Sequence, residues 1–179
     1  MRAIFVSILV FCCTVPAWAG NFTLTSPDIT DGGTLSHAQV LNDFGCEGGN
    51  TSPALSWSNP PEGTRSYALT VYDPDAPTGS GWWHWVVFNI PASVQSLPAG
   101  AGSGKGVPAG AMQSRTDFGK PGYGGACPPP GPSHRYIFTV HALDVEQLDL
   151  SPDSSAAMVG FMLNGHTLGK ASITATYGR

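Results

Sequence analysis

The sequence predicts a single β-dominated domain of the sandwich type. Several short runs of β-branched and aromatic residues have the composition of strands. The 23 glycines and 16 prolines lie between these runs and do not form a low-complexity tract. Only one segment has a convincing helical pattern. Many short strands with turn residues between them, and little helix, are typical of a sandwich of antiparallel or mixed sheets.

Six runs predict strands, and three of these predictions are strong. The strong runs are 66–72, 85–90 and 135–143, each bounded by turn residues. The weaker runs are 22–25, 54–57 and 171–177, of which the last alternates small apolar and polar residues.

Residues 155–163 predict the one clear helix, near the C-terminus. The side chains that fall on one stripe of it, and that we interpret as its core face, are Ala157, Met158, Phe161 and Met162. Asp153 or Ser154 is expected to cap its start, and the Asn-Gly pair at 164–165 is expected to end it. A shorter helical turn over 145–148 is a weaker expectation.

Residues 1–19 have the pattern of a secretory signal peptide. Arg2 gives a positive start, residues 3–15 are almost continuously apolar, and an Ala-x-Ala pattern ends at Ala19. The apolar run is too short to span a bilayer as a helix. We therefore predict cleavage after Ala19, a periplasmic or secreted bacterial protein, and a mature domain over 20–179 with no stable membrane insertion.

The charge balance argues against a nucleic-acid partner. The whole chain has a formal net charge of −4. Loss of the signal peptide removes one arginine and no acidic residue, so the mature domain is more acidic still. An acidic domain without basic clusters is a poor ligand for nucleic acids or anionic membrane surfaces.

Two of the four cysteines, Cys46 and Cys127, lie in the mature domain, and both are in glycine-rich loops. An exported protein folds in an oxidising compartment, where paired cysteines usually form disulfides. Metal binding by two thiolates is the alternative, but no CxxC or Cys/His spacing supports it. We predict a Cys46–Cys127 disulfide.

Polar residues stand at the ends of the three strong strands. Asp73 follows the first, whereas His84 and His134 precede the second and third. If these strands are antiparallel neighbours, the three side chains meet at one rim of the sheet. Side chains alternate between the two faces of a strand, so alternate residues share a face. The sets predicted to share a face are 67, 69, 71 and 73 in the first strand, 84, 86, 88 and 90 in the second, and 134, 136, 138 and 140 in the third.

A carboxylate and two imidazoles at one rim are suited to binding a small anion. Protonated histidines would donate charge-assisted hydrogen bonds, and free N–H groups of the loop 122–131 would add further donors. Asp73, His84 and His134 would also suit a divalent metal. No spacing demands a metal, so we predict neither metal nor cofactor. Asp75 fits a turn role as well as a ligand role.

At these residues the chain resembles the phosphatidylethanolamine-binding protein family, also called the Raf kinase inhibitor protein family, and most of all its bacterial exported branch. The matching segments are 73–77 (DPDAP), 83–85 (WHW), 122–131 and 134–136 (HRY). The resemblance implies a β-sandwich with one or two short helices near the C-terminus, and a small pocket for phosphate-like or carboxylate-like anions. It places six residues in that pocket, namely Asp73, Trp82, His84, Pro128, His134 and Tyr136. Tyr123 and Asp75 are further candidates.

Three functions follow as hypotheses. The first is a non-enzymatic protein that binds a small phosphate- or carboxylate-bearing ligand and modulates an unknown protein partner. The second is a hydrolase that uses a pocket histidine as general base, although the sequence contains no evident activated nucleophile. The third is a module that interacts with partners through its outer surface.

Overall fold

A computed structural model describes residues 20–179 and shows two antiparallel sheets with one α-helix. The predicted signal peptide lies outside the described residues. The strands are β1 (Thr23–Thr25), β2 (Leu55–Ser58), β3 (Ser66–Asp73), β4 (Trp82–Pro91), β5 (Ser96–Leu97), β6 (Met112–Gln113), β7 (His134–Leu143) and β8 (Thr167–Tyr177). The helix α1 is Ala156–His166, and two short 3-10 helices are His37–Gln39 and Ala101–Ser103. The β-dominated fold class is confirmed.

The small sheet has the order β1-β2-β5 and the large sheet has the order β6-β4-β3-β7-β8. The main core lies between them, where Trp57 of the small sheet meets Tyr67 of the large sheet edge-to-face, with ring centroids 5.4 Å apart. On the other side of the large sheet, α1 covers Ala68 and Phe88. Strands β3 and β4 are therefore buried on both sides, which explains their nearly continuous apolar sequences.

The three strong strand predictions are confirmed, with longer bounds than the sequence pattern suggests. Strand β8 begins at Thr167, four residues before the predicted start, because it pairs with β7 as far as Leu143. Strands β5 and β6 have two residues each and were not predicted. Such short edge strands are defined by their pairing with a neighbour, which leaves little trace in the local sequence.

The helix prediction is right in position and wrong in its face. Ala156, Val159 and Leu163 are buried, whereas Met158 is 49% exposed and Phe161 is 71% exposed. Apolar residues occur around most of this helix, so its periodicity does not select one face. The face was selected by docking against the large sheet.

The bounds of the helix also differ from the expected ones. Ser155 is the N-cap, and its hydroxyl accepts a hydrogen bond from the Met158 amide at 3.2 Å. At the other end, the helix continues through 164–165 and passes directly into β8 at Thr167. The expected helical turn over 145–148 is absent, since this segment contains bends and irregular chain.

Two irregularities in β4 overturn the predicted faces of that strand. The pairing with β3 shifts register near Asn89, which has a left-handed φ of 57°, and again at His84. As a result, Val86 and Phe88 face α1 while Ile90 lies in the inter-sheet core. The prediction that His84 shares a face with all three is wrong, because each bulge reverses the alternation of the strand.

No helix within residues 20–179 has the length and apolar character needed to cross a bilayer.

Candidate functional site

A cavity of about 150 Å³ lies at one rim of the large sheet, where β3 ends and where β4 and β7 begin. This is the rim at which the antiparallel argument placed the polar residues. All six residues that the family resemblance indicated line the cavity, namely Asp73, Trp82, His84, Pro128, His134 and Tyr136. The sequence reasoning therefore located these side chains together, although its alternation pattern for β4 was wrong.

Asp73 and His134 form a buried pair in this cavity. The Nδ1–H group of His134 donates to Oδ2 of Asp73 at 2.8 Å, and the two residues are 8% and 3% exposed. The other carboxylate oxygen accepts the backbone N–H of Asp75 at 2.8 Å. Both oxygens of Asp73 are thus engaged, so this carboxylate orients His134 and leaves the Nε2 side of that ring for other contacts.

The bulge at His84 turns this side chain toward Tyr136, and the two ring centroids are 5.1 Å apart. Nδ1 of His84 lies 2.7 Å from the carbonyl oxygen of Gly124. A carbonyl can only accept, so Nδ1 carries the proton. Burial lowers the pKa of His84, because desolvation outweighs the Gly124 carbonyl and the nearby Asp73. The neutral ring is therefore favoured, contrary to the expectation of a protonated histidine at this position.

Tyr136 lines the cavity and carries an unpaired hydroxyl. Its OH is buried and has no hydrogen-bond partner among residues 20–179. Burial is the main cause that raises the pKa of Tyr136, so the hydroxyl keeps its proton. A buried hydroxyl without a partner carries a desolvation cost that a ligand can remove.

Four amides of the glycine-rich loop are not the free donors that we expected. The amide of Tyr123 donates to Gly102 O, that of Gly124 to His84 O, and that of Ala126 to Gln39 O. The Gly125 amide donates to Oδ1 of Asn50 at 2.7 Å. These amides hold the loop against the rest of the protein, because a buried backbone N–H is rarely left without a partner.

Two aromatic residues of the cavity were not predicted. Phe118 makes edge-to-face contacts with Trp82 and His84, at centroid distances of 5.5 and 5.4 Å, and Phe44 stacks on Phe118 at 5.9 Å. Both stand in irregular loops outside the motifs. No periodic pattern marks such residues, and only the folding of their loops against the sheet rim brings them to the site.

The predicted disulfide between Cys46 and Cys127 is confirmed. It joins the segment that carries Phe44 to the loop that carries Pro128, and both residues line the cavity. Arg179 reinforces the second loop by donating from Nε to the Pro128 carbonyl at 2.6 Å. The disulfide is thus part of the wall of the cavity as well as a link between distant segments.

The two further candidates lie outside this cavity. The Asp75 carboxylate accepts hydrogen bonds from the backbone N, Nε and Nη2 of Arg135, at 2.9, 2.9 and 2.7 Å. Tyr123 is buried beside a neighbouring cavity, and its hydroxyl donates to the Gln39 carbonyl at 2.9 Å. The structure gives Asp75 and Tyr123 roles in holding loops. Among residues 20–179, no group of three or more His, Cys, Asp or Glu side chains is arranged to hold a metal ion.

The ion pair of Asp75 predicts a measurable titration. Hydrogen bonds from Arg135 lower the pKa of Asp75 to about 2. Because this value lies below the ordinary value of about 3.9, the pair contributes stability above pH ~4 that is lost as the pH falls through about 2. The pair is partly exposed, so its contribution is expected to be under ~1 kcal/mol. Carbon-13 NMR of the Asp75 carboxyl group measures the midpoint of its titration. Arg135→Met should return it to about 3.9, and a wild-type midpoint near that value would contradict the prediction.

Comparison with known proteins identifies the family of the chain. The family model described as phosphatidylethanolamine-binding protein matches residues 25–178. Among curated relatives, YbcL of Escherichia coli K12 is 52% identical over 180 residues, covering 99% of this chain and 98% of YbcL. YbhB of the same organism is 57% identical over 155 residues, covering 86% of this chain and 98% of YbhB.

A more distant relative is named lipoprotein LppC, from Mycobacterium tuberculosis, and is 34% identical over 92% of this chain and 76% of its own. The crystal structure of E. coli YbcL, described as a member of the mammalian PEBP family, superposes with a TM-score of 0.87. It has 54% identity and covers 89% of this chain and 99% of that one. With the sequence match and the shared fold in agreement, the chain belongs to the phosphatidylethanolamine-binding protein family.

Proposed function

We propose that this protein is a non-enzymatic binding protein whose rim cavity holds the phosphate or carboxylate group of a small ligand. The observation that carries the proposal is the buried, unpaired hydroxyl of Tyr136, a residue that lines the cavity together with the Asp73–His134 pair. A ligand oxygen that accepts from this hydroxyl would remove the cost of leaving it without a partner.

The electrostatics of the cavity support an anionic group. Asp73 is held by His134 and by the Asp75 amide, so its charge is compensated within the protein. His134 presents its second nitrogen from a position fixed by that carboxylate. A ligand anion would face the imidazole and the Tyr136 hydroxyl, while Trp82 and Phe118 shield it from water and strengthen these interactions.

The side chains around the cavity favour binding over catalysis. Cys127 is oxidised in the disulfide and is not a nucleophile. Burial raises the pKa of Tyr136, which opposes formation of a phenolate. The Thr78 hydroxyl donates to the carbonyl of Gly81, so no base activates it. A protein that binds without turnover and modulates a partner is therefore the function we infer.

Export is part of the same proposal. The signal-like pattern of residues 1–19 indicates a periplasmic or secreted protein, and the relative named as a lipoprotein is consistent with a family branch outside the cytoplasm. The Cys46–Cys127 disulfide fits such an oxidising compartment. An exported acidic domain is a poor candidate for regulating a cytosolic kinase, so any protein partner is expected outside the cytoplasm.

Tyr136→Phe tests this proposal by separating affinity from stability. Loss of the hydroxyl is expected to weaken phosphate or phenyl phosphate binding about tenfold, as for the loss of one buried hydrogen bond. The free energy of unfolding should stay constant or rise slightly, because the unpaired polar atom is removed. Isothermal titration calorimetry and urea denaturation measure the two quantities. Unchanged affinity in a stable variant would contradict the proposed ligand contact.

A further inference from the structure

We propose that a groove between α1 and the large sheet binds a small, uncharged aromatic molecule that donates one hydrogen bond. The groove lies on the side of the large sheet that faces away from the small sheet, and its volume is about 390 Å³. It shares no lining residue with the rim cavity, so the inference is independent of the proposed function. The residues that line it, and that define the α1 groove, are Thr70, Trp83, His141, Ala157, Gly160, Phe161, Leu163 and Asn164.

The α1 groove has the size of a site for an organic molecule. Pockets that hold small organic ligands commonly have volumes of about 300–1,000 Å³. The rim cavity, at about 150 Å³, is smaller than this, whereas the α1 groove falls within the range. The α1 groove therefore has room for a ligand built on a single ring or a fused pair of rings.

The walls of the α1 groove are largely aromatic. The indole ring of Trp83 lies against Tyr72, with ring centroids 4.6 Å apart. Gly160 of α1 is so close to this indole that an added Cβ would lie 3.7 Å from two of its ring atoms. Trp83 is thus held in place by contacts with both β3 and α1. Phe161 lines the groove from the helix and is 71% exposed, so a flat apolar ring has two aromatic side chains to pack against.

The polar side chains at the α1 groove form a chain of hydrogen bonds with a fixed direction. The Thr167 hydroxyl donates to the Leu163 carbonyl at 2.7 Å, so toward the ring of His141 the Thr167 oxygen can only accept. Nδ1 of His141 lies 3.3 Å from that oxygen and therefore carries the proton. Nε2 is then an acceptor, and the Thr70 hydroxyl donates to it at 3.4 Å.

This direction leaves the Thr70 oxygen as an acceptor without a donor. Thr70 is 5% exposed, and no group within residues 20–179 donates to its hydroxyl oxygen. The contacts of His141 at 3.3 and 3.4 Å are long for hydrogen bonds, so this chain is weakly satisfied by the protein alone. A ligand O–H or N–H group that donates to Thr70 would complete it. A ligand with acceptors only would place its lone pairs against those of Thr70 and be rejected.

The charges at the α1 groove favour a neutral ligand. Burial lowers the pKa of His141 to about 4, and Lys170 acts in the same direction, so the ring is neutral near pH ~7. His141 is the one titratable side chain among residues 20–179 that lines the groove. An ion that entered would lose its hydration without gaining a partner of opposite charge.

The exposed apolar residues of α1 raise the alternative that a second copy of the chain occupies the groove. Phe161 and Met158 are 71% and 49% exposed, and they are the side chains that a second copy could insert. Neither has a hydrogen-bond donor, so either would bury the Thr70 oxygen without a partner. A small molecule that carries a donor satisfies both the apolar walls and the Thr70 oxygen.

Indole and benzothiophene are a matched pair of probes. They have nearly the same shape, but only indole has an N–H donor. Calorimetry on the oxidised mature domain is expected to show indole binding at least about tenfold more tightly. Equal affinities, or no binding of indole, would overturn the proposal. Saturating inorganic phosphate should not displace indole. Displacement would place indole in the rim cavity and overturn the proposal, whereas a failure of phosphate to bind at all would count only against the proposed function.

A pair of glycine variants in α1 assigns the binding to the groove. Gly160→Leu places a side chain in the groove and should weaken indole binding at least about tenfold. Gly165→Leu is the matched control, because Gly165 is in the same helix, does not line the groove and has no atom near an added Cβ. It should keep the wild-type affinity. Leucine is favoured over glycine in a helix, so both variants should fold. Wild-type affinity in a folded Gly160→Leu would overturn the proposal.

Should Gly160→Leu fail to fold, NMR of the wild type decides. Indole is expected to shift the imidazole signals of His141 and the side-chain signals of Trp83, which line the groove. The imidazole signals of His84, which lines the rim cavity, should stay unchanged. Shifts at His84 without shifts at His141 would overturn the proposal.

Sedimentation equilibrium tests the second copy as occupant. The wild type and Gly160→Leu are expected to have the same oligomeric state, because the groove is occupied by a small molecule and not by another chain. A wild-type dimer that dissociates in Gly160→Leu, but not in Gly165→Leu, would show that a second copy fills the groove and would overturn the proposal.

Discussion

Replacement of Cys46 and Cys127 together by serine is expected to lower the free energy of unfolding by about 4.5 kcal/mol. The two cysteines are 81 residues apart in sequence, and the bridge removes the closure entropy of this long loop from the unfolded chain. Cys46 is also buried against Val40 and Leu41, so serine adds a small packing cost. Urea denaturation of the oxidised domain and of the double variant measures the difference.

The wild-type domain under reducing conditions is the matched control, because it loses the bridge without a change of side chains. It should be destabilised to about the same extent. A second expected result is weaker phosphate binding by the folded double variant, since the bridge joins the segments that carry Phe44 and Pro128 at the cavity. A stability loss under ~1 kcal/mol would show that the closure of this loop contributes little.

Asp73→Ala is expected to weaken phosphate binding about 100-fold. The change leaves Nδ1–H of His134 and the amide of Asp75 without their acceptor. Truncation of one partner of a buried, hydrogen-bonded pair commonly costs about 2–5 kcal/mol. The free energy of unfolding should also fall, by about 3 kcal/mol. Calorimetric titration with phenyl phosphate and urea denaturation measure these effects.

Asp75→Ala is the matched control for that prediction. It removes the same functional group two residues further along the chain, from a partly exposed ion pair with Arg135 outside the cavity. Its expected cost in stability is under ~1 kcal/mol, and phosphate affinity should not change. Wild-type affinity in a folded Asp73→Ala would contradict the role of the Asp73–His134 pair in binding.

The success of the strand predictions has a local cause. The residues of β3, β4 and β7 are β-branched or aromatic and are bounded by turn residues, so the signal lies within each segment. The same holds for the position of α1. The prediction that Asp73, His84 and His134 converge needed one further assumption, namely that their strands are antiparallel neighbours. The antiparallel pairing of β3 with both β4 and β7 satisfies it.

The predictions that failed share one cause. Each concerned a feature that is decided by contacts between residues distant in sequence. The face of α1 depends on which stripe meets the sheet, and this helix is apolar on several sides. The faces of β4 depend on bulges at Asn89 and His84 that appear only in its pairing with β3. Four of the loop amides expected to bind an anion instead attach the loop to the rest of the domain.

The sequence by itself therefore determined the class of fold, the residues that gather at one rim and the pairing of Cys46 with Cys127. Composition, turn residues and motif spacing carry that information, since each is a property of neighbouring residues or of residue type. Only the tertiary structure decided the protonation of His84. Burial against Phe118 and Tyr136 lowers the pKa of His84, and the Gly124 carbonyl holds the proton on Nδ1, where the sequence suggested a cation. Protonation depends on desolvation and on the partner of each nitrogen, and both are set by the packing of segments far apart in the chain.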